Sequence, residues 1–283
     1  MIFDTSRLTF RSEIYPEYKA NRDEPPEDLK PQFGLIRDAT RAFGVPAVEL
    51  AGFEADDLIA TYAEAVSQAG GRVTIISSDK DLMQLVTDRV HMLDTMKNRQ
   101  IGPDQVVEKF GVTPDKVVEV QALAGDSVDN VPGVPGIGVK TAAQLLAEYG
   151  DLENLLASAE QIKQPKRREN LLNNADKARI SLELVTLAKD APIDVPVSEF
   201  VIDDPDADAL LKFLAEMEFS TLIKRMSAVL GVDAPALPKT APKAAETEPI
   251  AAGKPGAMPF NVDVPVDHSK YECVTTMERL RAW

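Results

Sequence analysis

The sequence predicts an α/β layer followed by an all-helical half, and three observations carry that reading. Short β-branched runs at 72–76 and 90–93 alternate with helical patterns, the signature of a sheet layered with helices. The strand signal stops after about residue 103, where amphipathic stretches separated by Gly, Pro or Asp take over. From 232 to 266 the composition turns to Ala, Pro, Lys and Glu with almost no large apolar residue, too little to offset the entropy of ordering it.

The order of elements follows. Residues 1–4, Met-Ile-Phe-Asp, read as the end of a buried strand with nothing before it. Helical spacing of Leu29, Phe33, Ile36 and Ala39 predicts a helix over 27–43, and Leu58, Ile59 and Tyr62 predict another over 54–69. The run 72–76, flanked by Gly70-Gly71 and Ser77-Ser78-Asp79, has the continuous apolar character of a buried parallel strand. Helices are expected at 103–110, 114–124, 139–149, 151–157, 167–189 and 205–229. These patterns divide the chain into an α/β domain at 1–110, a helical domain at 111–231, a flexible linker at 232–266 and the opening of a further domain at 267–283.

Composition excludes several classes. The chain has 283 residues, with 31 basic and 46 acidic side chains and a net charge of −15, so any contact with a polyanion must be local. One cysteine, Cys273, and two histidines, His91 and His268, exclude a disulfide framework and a Cys- or His-based metal cluster. Apolar runs fall far short of a membrane span and the start has no export signal, so the reading is a monomeric cytoplasmic protein that engages no membrane.

Four acidic clusters stand where a fold can aim them at one point. Asp4 ends the first strand, and Asp79 and Asp81 follow the strand ending at Ile76, where sites form in open α/β sheets. Glu54 and Asp57, with Asp56 between them, are spaced to share one side of a helix start, and Asp126 and Asp129 repeat that spacing. Eight convergent carboxylates require cations, and oxygen-only ligands select Mg²⁺ or Mn²⁺. Taken singly, each cluster is also read as a helix cap, a polar loop or an Asx-turn.

Next comes a glycine- and proline-rich stretch, 130–142, leading into an amphipathic helix. Gly133, Gly136 and Gly138 before Lys140 and Thr141 expose backbone N–H groups at a helix start, which suits a phosphate oxygen; a tight packing turn is the plain alternative. The glycine order is not a dinucleotide fingerprint, and Val139 inserted before Lys140-Thr141 breaks a P-loop, so no nucleotide cofactor is expected. Arg7, Arg11, Tyr15, Tyr18, Lys19 and Arg22 form a basic, aromatic island suited to a single strand, or a solvated helix face. Lys163, Lys166, Arg167 and Arg168 form a second island.

The order of these motifs is more specific than any one of them. Phe3-Asp4, Thr9-Phe10-Arg11, Tyr18-Lys19-x-x-Arg22, Gly52-Phe53-Glu54-Ala55-Asp56-Asp57, Ser78-Asp79-Lys80-Asp81 and the run from Gly125 to Gly138 together resemble the 5′-nuclease (5′-3′ exonuclease) domain of bacterial DNA polymerases I, in the flap endonuclease superfamily, over about residues 2–230. The resemblance implies a PIN-like parallel-sheet domain, its first strand missing, followed by an all-α helix-hairpin-helix (H3TH) domain. It implies two or more Mg²⁺ or Mn²⁺ ions on Asp4, Glu54, Asp56, Asp57, Asp79, Asp81, Asp126 and Asp129, and a monovalent cation at the hairpin. Lys19 and Arg22 match catalytic residues, and Tyr18, Lys19 and Arg22 match the helical gateway residues that steer a 5′ strand, with Arg7 and Arg11 expected to contact the DNA beside them. Gly133, Gly136, Gly138, Lys140 and Thr141 match the duplex-gripping hairpin. The implied activity is cleavage near a DNA 5′ end or flap, in repair and primer removal, by a domain normally fused to a polymerase whose own domain is not present here. The family begins earlier, with a core strand carrying another metal-binding Asp and the helix that follows it. A weak or inactive nuclease is therefore expected of this chain, with a catalytically impaired DNA-binding fragment as the alternative.

Overall fold

In the computed structural model, which describes residues 1–202 and 204–234, the sheet is small and mixed. Strands β1 (Val73–Ile76), β2 (Val90–Asp94) and β3 (Arg99–Ile101) lie in that order. β1 and β2 are parallel, with Val73 opposite Val90 and Ile76 opposite Leu93, as the β-branched runs imply. β3 departs from the expected all-parallel sheet: it pairs antiparallel to β2, Met92 opposite Ile101. The turn between them is closed by Asp94, whose Oδ1 accepts from the N–H groups of Met96 and Lys97. Only Ile101 of β3 is buried, so three residues with one apolar anchor gave no periodic signal.

The front segment adds single parallel bridges, Ile2 to Val48 and Thr9 to Gly52, so residues 1–4 are extended as expected. Among the described residues it forms no strand of the named sheet, and β1 lies at the sheet's edge.

Eleven α-helices surround and follow the sheet in the described residues. α1 (Phe10–Ile14) is short. α2 (Gln32–Ala42) starts five residues later than its apolar spacing suggests, because Pro26 and Pro31 hold residues 27–31 in turns. α3 (Ala55–Gln68), α4 (Pro103–Phe110), α5 (Val117–Ala124), α6 (Val139–Tyr149) and α7 (Leu152–Ala157) stand close to expectation. The segment expected as one helix at 167–189 is two, α8 (Pro165–Asn173) and α9 (Ala175–Val185), broken at Asn174. Likewise α10 (Ala207–Glu216) and α11 (Ser220–Leu230) are separated by Glu218 at positive φ. Most of the linker expected at 232–266, and all of 267–283, lie outside the described residues.

One apolar core runs through both halves. Ala60 of α3, Ile75 of β1, Leu82, Met92 of β2 and Phe110 of α4 pack with Leu123 of α5, Leu145 of α6, Leu155 of α7 and Leu171 of α8. No described helix is long and apolar enough to cross a membrane.

A buried ion pair fastens this assembly. Arg11 on α1 meets Asp57 on α3 with two parallel bonds of 2.7 Å, and both side chains are almost fully enclosed. Asp57 also accepts from the N–H of Glu54 at 3.0 Å and of Ala188 at 2.9 Å. Arg11 donates its remaining bonds to the carbonyls of Leu184 and Thr186, at the end of α9. Every polar atom of the pair is therefore matched, the condition under which enclosed charge is tolerated. Removing one partner strands the other. Arg11→Met should lower unfolding free energy by about 3–5 kcal/mol, read by urea denaturation; a loss below about 1 kcal/mol would show that the pair holds nothing together.

Candidate active site

The acidic clusters meet in one crevice. Asp4, Glu54, Asp56, Asp79, Asp81, Asp126 and Asp129 line it, with Leu184 and Val185 at the end of α9 and Leu187 just beyond it forming an apolar wall. Four chain segments deliver these seven carboxylates. Asp4 follows the Ile2 bridge, and its Oδ1 accepts from the N–H of Ala55, so the first turn of α3 orients it. Glu54 is the residue before α3 and Asp56 lies within its first turn. Asp79 and Asp81 sit where β1 passes into the 3-10 turn Asp81–Leu85, and the N–H of Asp81 donates to Asp79 Oδ1 at 2.9 Å. Asp126 and Asp129 belong to the loop after α5, closed by paired backbone bonds between Asp126 and Val131.

Asp57, expected as the eighth, is not among them. As the third residue of α3 its carboxylate folds back on the helix start and is consumed by Arg11 and two backbone N–H groups. A spacing of three put Glu54 and Asp57 on one side, but capping geometry turns Asp57 inward and leaves Asp56 in the crevice. Arg11, expected to touch DNA, is 1% exposed and occupied by the same pair.

The crevice holds more negative charge than its surroundings compensate. Burial, then the carboxylates of Asp79, Glu54, Asp4 and Asp81, push the half-buried Asp56 up to about 7. Burial and Asp79 push Asp81 up to about 6, against the opposing effect of Lys80 and a hydrogen bond from Gln121. Asp126 goes the other way: burial raises it, but the Lys80 ammonium and the Val128 N–H hold it below the usual carboxylate range.

Besides Arg11, whose guanidinium lines the crevice 3.8 Å from Glu54, three cations pair with its carboxylates. Lys19 bonds Glu54 at 2.7 Å and lies 3.7 Å from Asp129, Arg22 pairs with Asp129, and Lys80 pairs with Asp126. Among the described residues no three acidic, His or Cys side chains stand close enough together to hold a metal ion. The convergence is thus of one crevice, not of a finished coordination shell. Gln121 and Lys80 were not singled out from the sequence; Lys80 stands between two residues that were, and Gln121 lies on an apolar helix with no motif to mark it.

Lys19 and Arg22 stand in turns, not on the helix expected of gateway residues. Pro16, Pro25 and Pro26 keep 16–31 out of helical conformation, and Lys19 has φ +55°. The segment is docked on the acidic loop by the Lys19 N–H to the Asp129 carbonyl at 2.9 Å, Asn21 to Ser127 at 2.7 Å and Asn130 to Glu17 at 2.6 Å. Arg7, exposed, clasps the same segment at the carbonyls of Arg22 and Asp23. Tyr18, expected to stack on a base, is 9% exposed; its ring packs with Val131 and Leu184, and its hydroxyl donates to Glu54 at 3.2 Å. Its ring has no free face for a base, and burial beside Glu54 keeps the phenol protonated.

The glycines of the hairpin divide by role. Gly133 is buried, and a Cβ there would lie 2.5 Å from the backbone N of Gly125, so it serves the crossing of two strands of backbone and not a ligand. Gly136, at φ +77°, and Gly138, which precedes α6, are exposed together with Lys140, and Thr141 is half-buried. The unpaired N–H groups of the first turn of α6 begin here. Asn170 of α8 donates to the Pro135 carbonyl at 2.7 Å, which joins the Lys163–Arg168 island to the hairpin surface.

Residues 1–111 match the model of the 5′-3′ exonuclease N-terminal resolvase-like domain, and residues 112–208 that of the 5′-3′ exonuclease C-terminal SAM fold. The chain is 52% identical over 278 residues to a DNA polymerase I of Rhizobium leguminosarum, covering 94% of this chain and 27% of that protein. It is 38% identical to a 5′-3′ exonuclease of Aquifex aeolicus, covering 81% of this chain and 78% of that protein. It therefore spans about a quarter of the polymerase relatives it matches. In fold it is similar to a T5 5′-exonuclease with bound divalent metal ions (zinc), at TM-score 0.61 and 24% identity over 82% of each chain. It is also similar to the catalytic core of Rad2 in complex with DNA substrate, at TM-score 0.51 and 19% identity over 76% of this chain and 72% of that one.

The charge imbalance sets a measurable pH dependence. Asp56 has a folded-state pKa above its unfolded value, so its contribution to stability is full below about pH 4 and is lost as pH rises through about 7. In EDTA, Asp56→Asn should gain little at pH 4.5 and about 1–2 kcal/mol at pH 8, a figure reduced for partial solvent exposure. Thermal melts at the two pH values check it; an equal gain at both would mean that repulsion in the crevice is not what raises Asp56.

Proposed function

This chain belongs to the 5′-3′ exonuclease family, and from that premise we propose that it is a divalent-metal-dependent nuclease that hydrolyses a DNA phosphodiester near a 5′ end or flap. The observation that carries the proposal is the meeting of seven carboxylates from four segments in one crevice whose rim bears Lys19 and Arg22. The donor set fits a hard cation: all oxygen, with Asp56 and Asp81 forced towards protonation by their neighbours, a strain that a divalent ion relieves. Asp4, Glu54, Asp56, Asp79, Asp81, Asp126 and Asp129 would hold it, with Mg²⁺ or Mn²⁺ the expected ions.

Bound ions of this class supply Lewis acidity, lowering the pKa of a water and offsetting charge that gathers on phosphorus and the leaving oxygen. The chain's own residues place the phosphate. Lys19 and Arg22 stand on a segment tied to the acidic loop by three backbone-directed bonds, so their charges are presented at a fixed height above the carboxylates. Phosphoryl chemistry depends chiefly on such placement and on charge. The apolar wall of Leu184, Val185 and Leu187 lowers the local dielectric on one side and strengthens every ionic contact made there. At the hairpin, Gly136, Gly138 and Lys140 offer N–H groups and one ammonium to a duplex backbone without reading bases. The proposed substrate is DNA with a 5′ end or flap, engaged by a monomer as part of a polymerase chain.

Asp79→Ala with Asp81→Ala should abolish most Mn²⁺ binding by calorimetry and most Mn²⁺-dependent cleavage of a 5′-flapped duplex, with thermal stability in EDTA kept or raised. Unchanged Mn²⁺ binding would remove the metal site, whereas binding of metal and flap without cleavage by the parent chain would leave a DNA-binding module. Lys140→Ala should weaken duplex binding alike for different sequences and reduce the slope of log affinity against log salt by about one phosphate contact. An unaltered slope would show that Lys140 does not touch the duplex.

A further inference from the structure

We propose that Lys80 is an internal counter-ion that a divalent cation displaces, and that the displaced ammonium then takes a DNA phosphate, so that metal and DNA bind cooperatively. This rests on reading the crevice as a metal site.

Lys80 stands between Asp79 and Asp81 in the turn after β1, yet its ammonium pairs with neither; it reaches Asp126, 46 residues further along the chain. Both oxygens of Asp126 are thereby engaged, because Oδ2 takes Lys80 while Oδ1 accepts from the N–H groups of Val128 and Asp129. A cation that is to be held by Asp126 must share an oxygen with the like-charged Lys80 or with that turn. The turn is fixed by the paired backbone bonds of Asp126 and Val131, and the lysine is the movable partner. Its side chain is 41% exposed against 11% for Asp126 and ends in four carbons of free rotation.

The other two cations of the crevice are held differently. Lys19 divides its charge between Glu54 and Asp129, and its backbone N–H is bonded to Asp129; the Arg22 carbonyl is clasped by Arg7. These bonds hold the backbone of both residues without the ion pairs, although Arg22, like Lys80, has one ion-pair partner among the described residues, Asp129. Among the described residues Lys80 has Asp126 as its only ion-pair partner, so loss of that oxygen leaves it without one, attracted only through space by Asp79 and Asp81. An ammonium left beside a divalent ion is repelled by it, and the strongest anion able to receive it at the mouth of the crevice is a phosphate bridging to the same ion. Each ligand then favours the other, and linkage makes the effect equal in both directions.

The test uses Lys80→Met, which keeps the stem and removes the charge, with Lys109→Met as a control for general electrostatics. Lys109 feels Lys80, Asp79 and Asp81 through space, but among the described residues it makes no ion pair and stands 5.8 Å from the centre of its neighbour Phe110's ring. Without DNA, Lys80→Met should bind Mn²⁺ about five-fold or more tightly than the parent, and Lys109→Met within about two-fold. Fluorescence anisotropy with a 5′-flapped duplex should give parent and Lys80→Met the same salt dependence in EDTA. In Ca²⁺ the parent's slope should be steeper by about one phosphate contact. Unchanged or weaker Mn²⁺ binding by Lys80→Met, or an equal gain in Lys109→Met, overturns the displacement; equal slopes in Ca²⁺ overturn the transfer to phosphate. Failure of the parent itself to bind Mn²⁺ overturns the metal-site reading and this inference with it, whereas parent binding with no effect of Lys80→Met overturns this inference alone.

Discussion

The head of α3 and the end of α9 are held together beside the crevice by the enclosed pair of Arg11 and Asp57. One guanidinium and one carboxylate tie together the first helix, the start of α3 and the carbonyls that follow α9, three segments far apart in sequence. Glu54 and Asp56 flank the residue pair at the head of α3, and Leu184, Val185 and Leu187 flank the carbonyls on the far side. The α3 part of the acidic face and the apolar wall therefore hang from the same ionic clamp. The clamp is satisfied by directional bonds in a water-poor setting, where a bidentate guanidinium fixes angle as well as distance.

The clamp also explains why the acidic constellation was mostly, and not wholly, legible from the sequence. Carboxylates at strand ends and helix starts are visible as motifs, and seven of the eight reach the crevice. Asp57 was misplaced because spacing alone does not tell which acid of a helix's first turn folds back to cap it; that depends on Arg11, supplied by another segment. The same limit applies to Tyr18, whose aromatic and phenolic character suits both a stacking surface and the packed position beside Val131 and Leu184 that it occupies. The glycine run announced a turn and a helix start, but the difference between Gly133, locked against Gly125, and Gly136, exposed, lies in a contact across the fold. Among the elements, β3 was missed for want of apolar residues, and the break at Asn174 because the apolar periodicity continues on both sides of it.

The negative charge of the chain acquires a location from this arrangement. Repulsion is concentrated where Asp56 and Asp81 face their neighbours, and the protein's own lysines and arginine answer it in part. A net charge of −15 is then compatible with DNA as a partner, because the exposed hairpin and the Lys163–Arg168 island present the opposite sign on a surface joined by Asn170.

The crossing of Gly125 and Gly133 gives the molecule a built-in caliper. The loop between them carries Asp126 and Asp129, and three residues beyond Gly133 comes Gly136 at the hairpin tip. With backbone against backbone at the crossing, no side chain is available to yield, and the bonds between Asp126 and Val131 shut the loop further. The acidic loop and the hairpin tip are thus joined through a crossing where a side chain at either glycine would force the backbones apart. For the proposed nuclease, the reach from a phosphate held at the hairpin to the crevice would then be set by the protein backbone and not by the bases of the duplex.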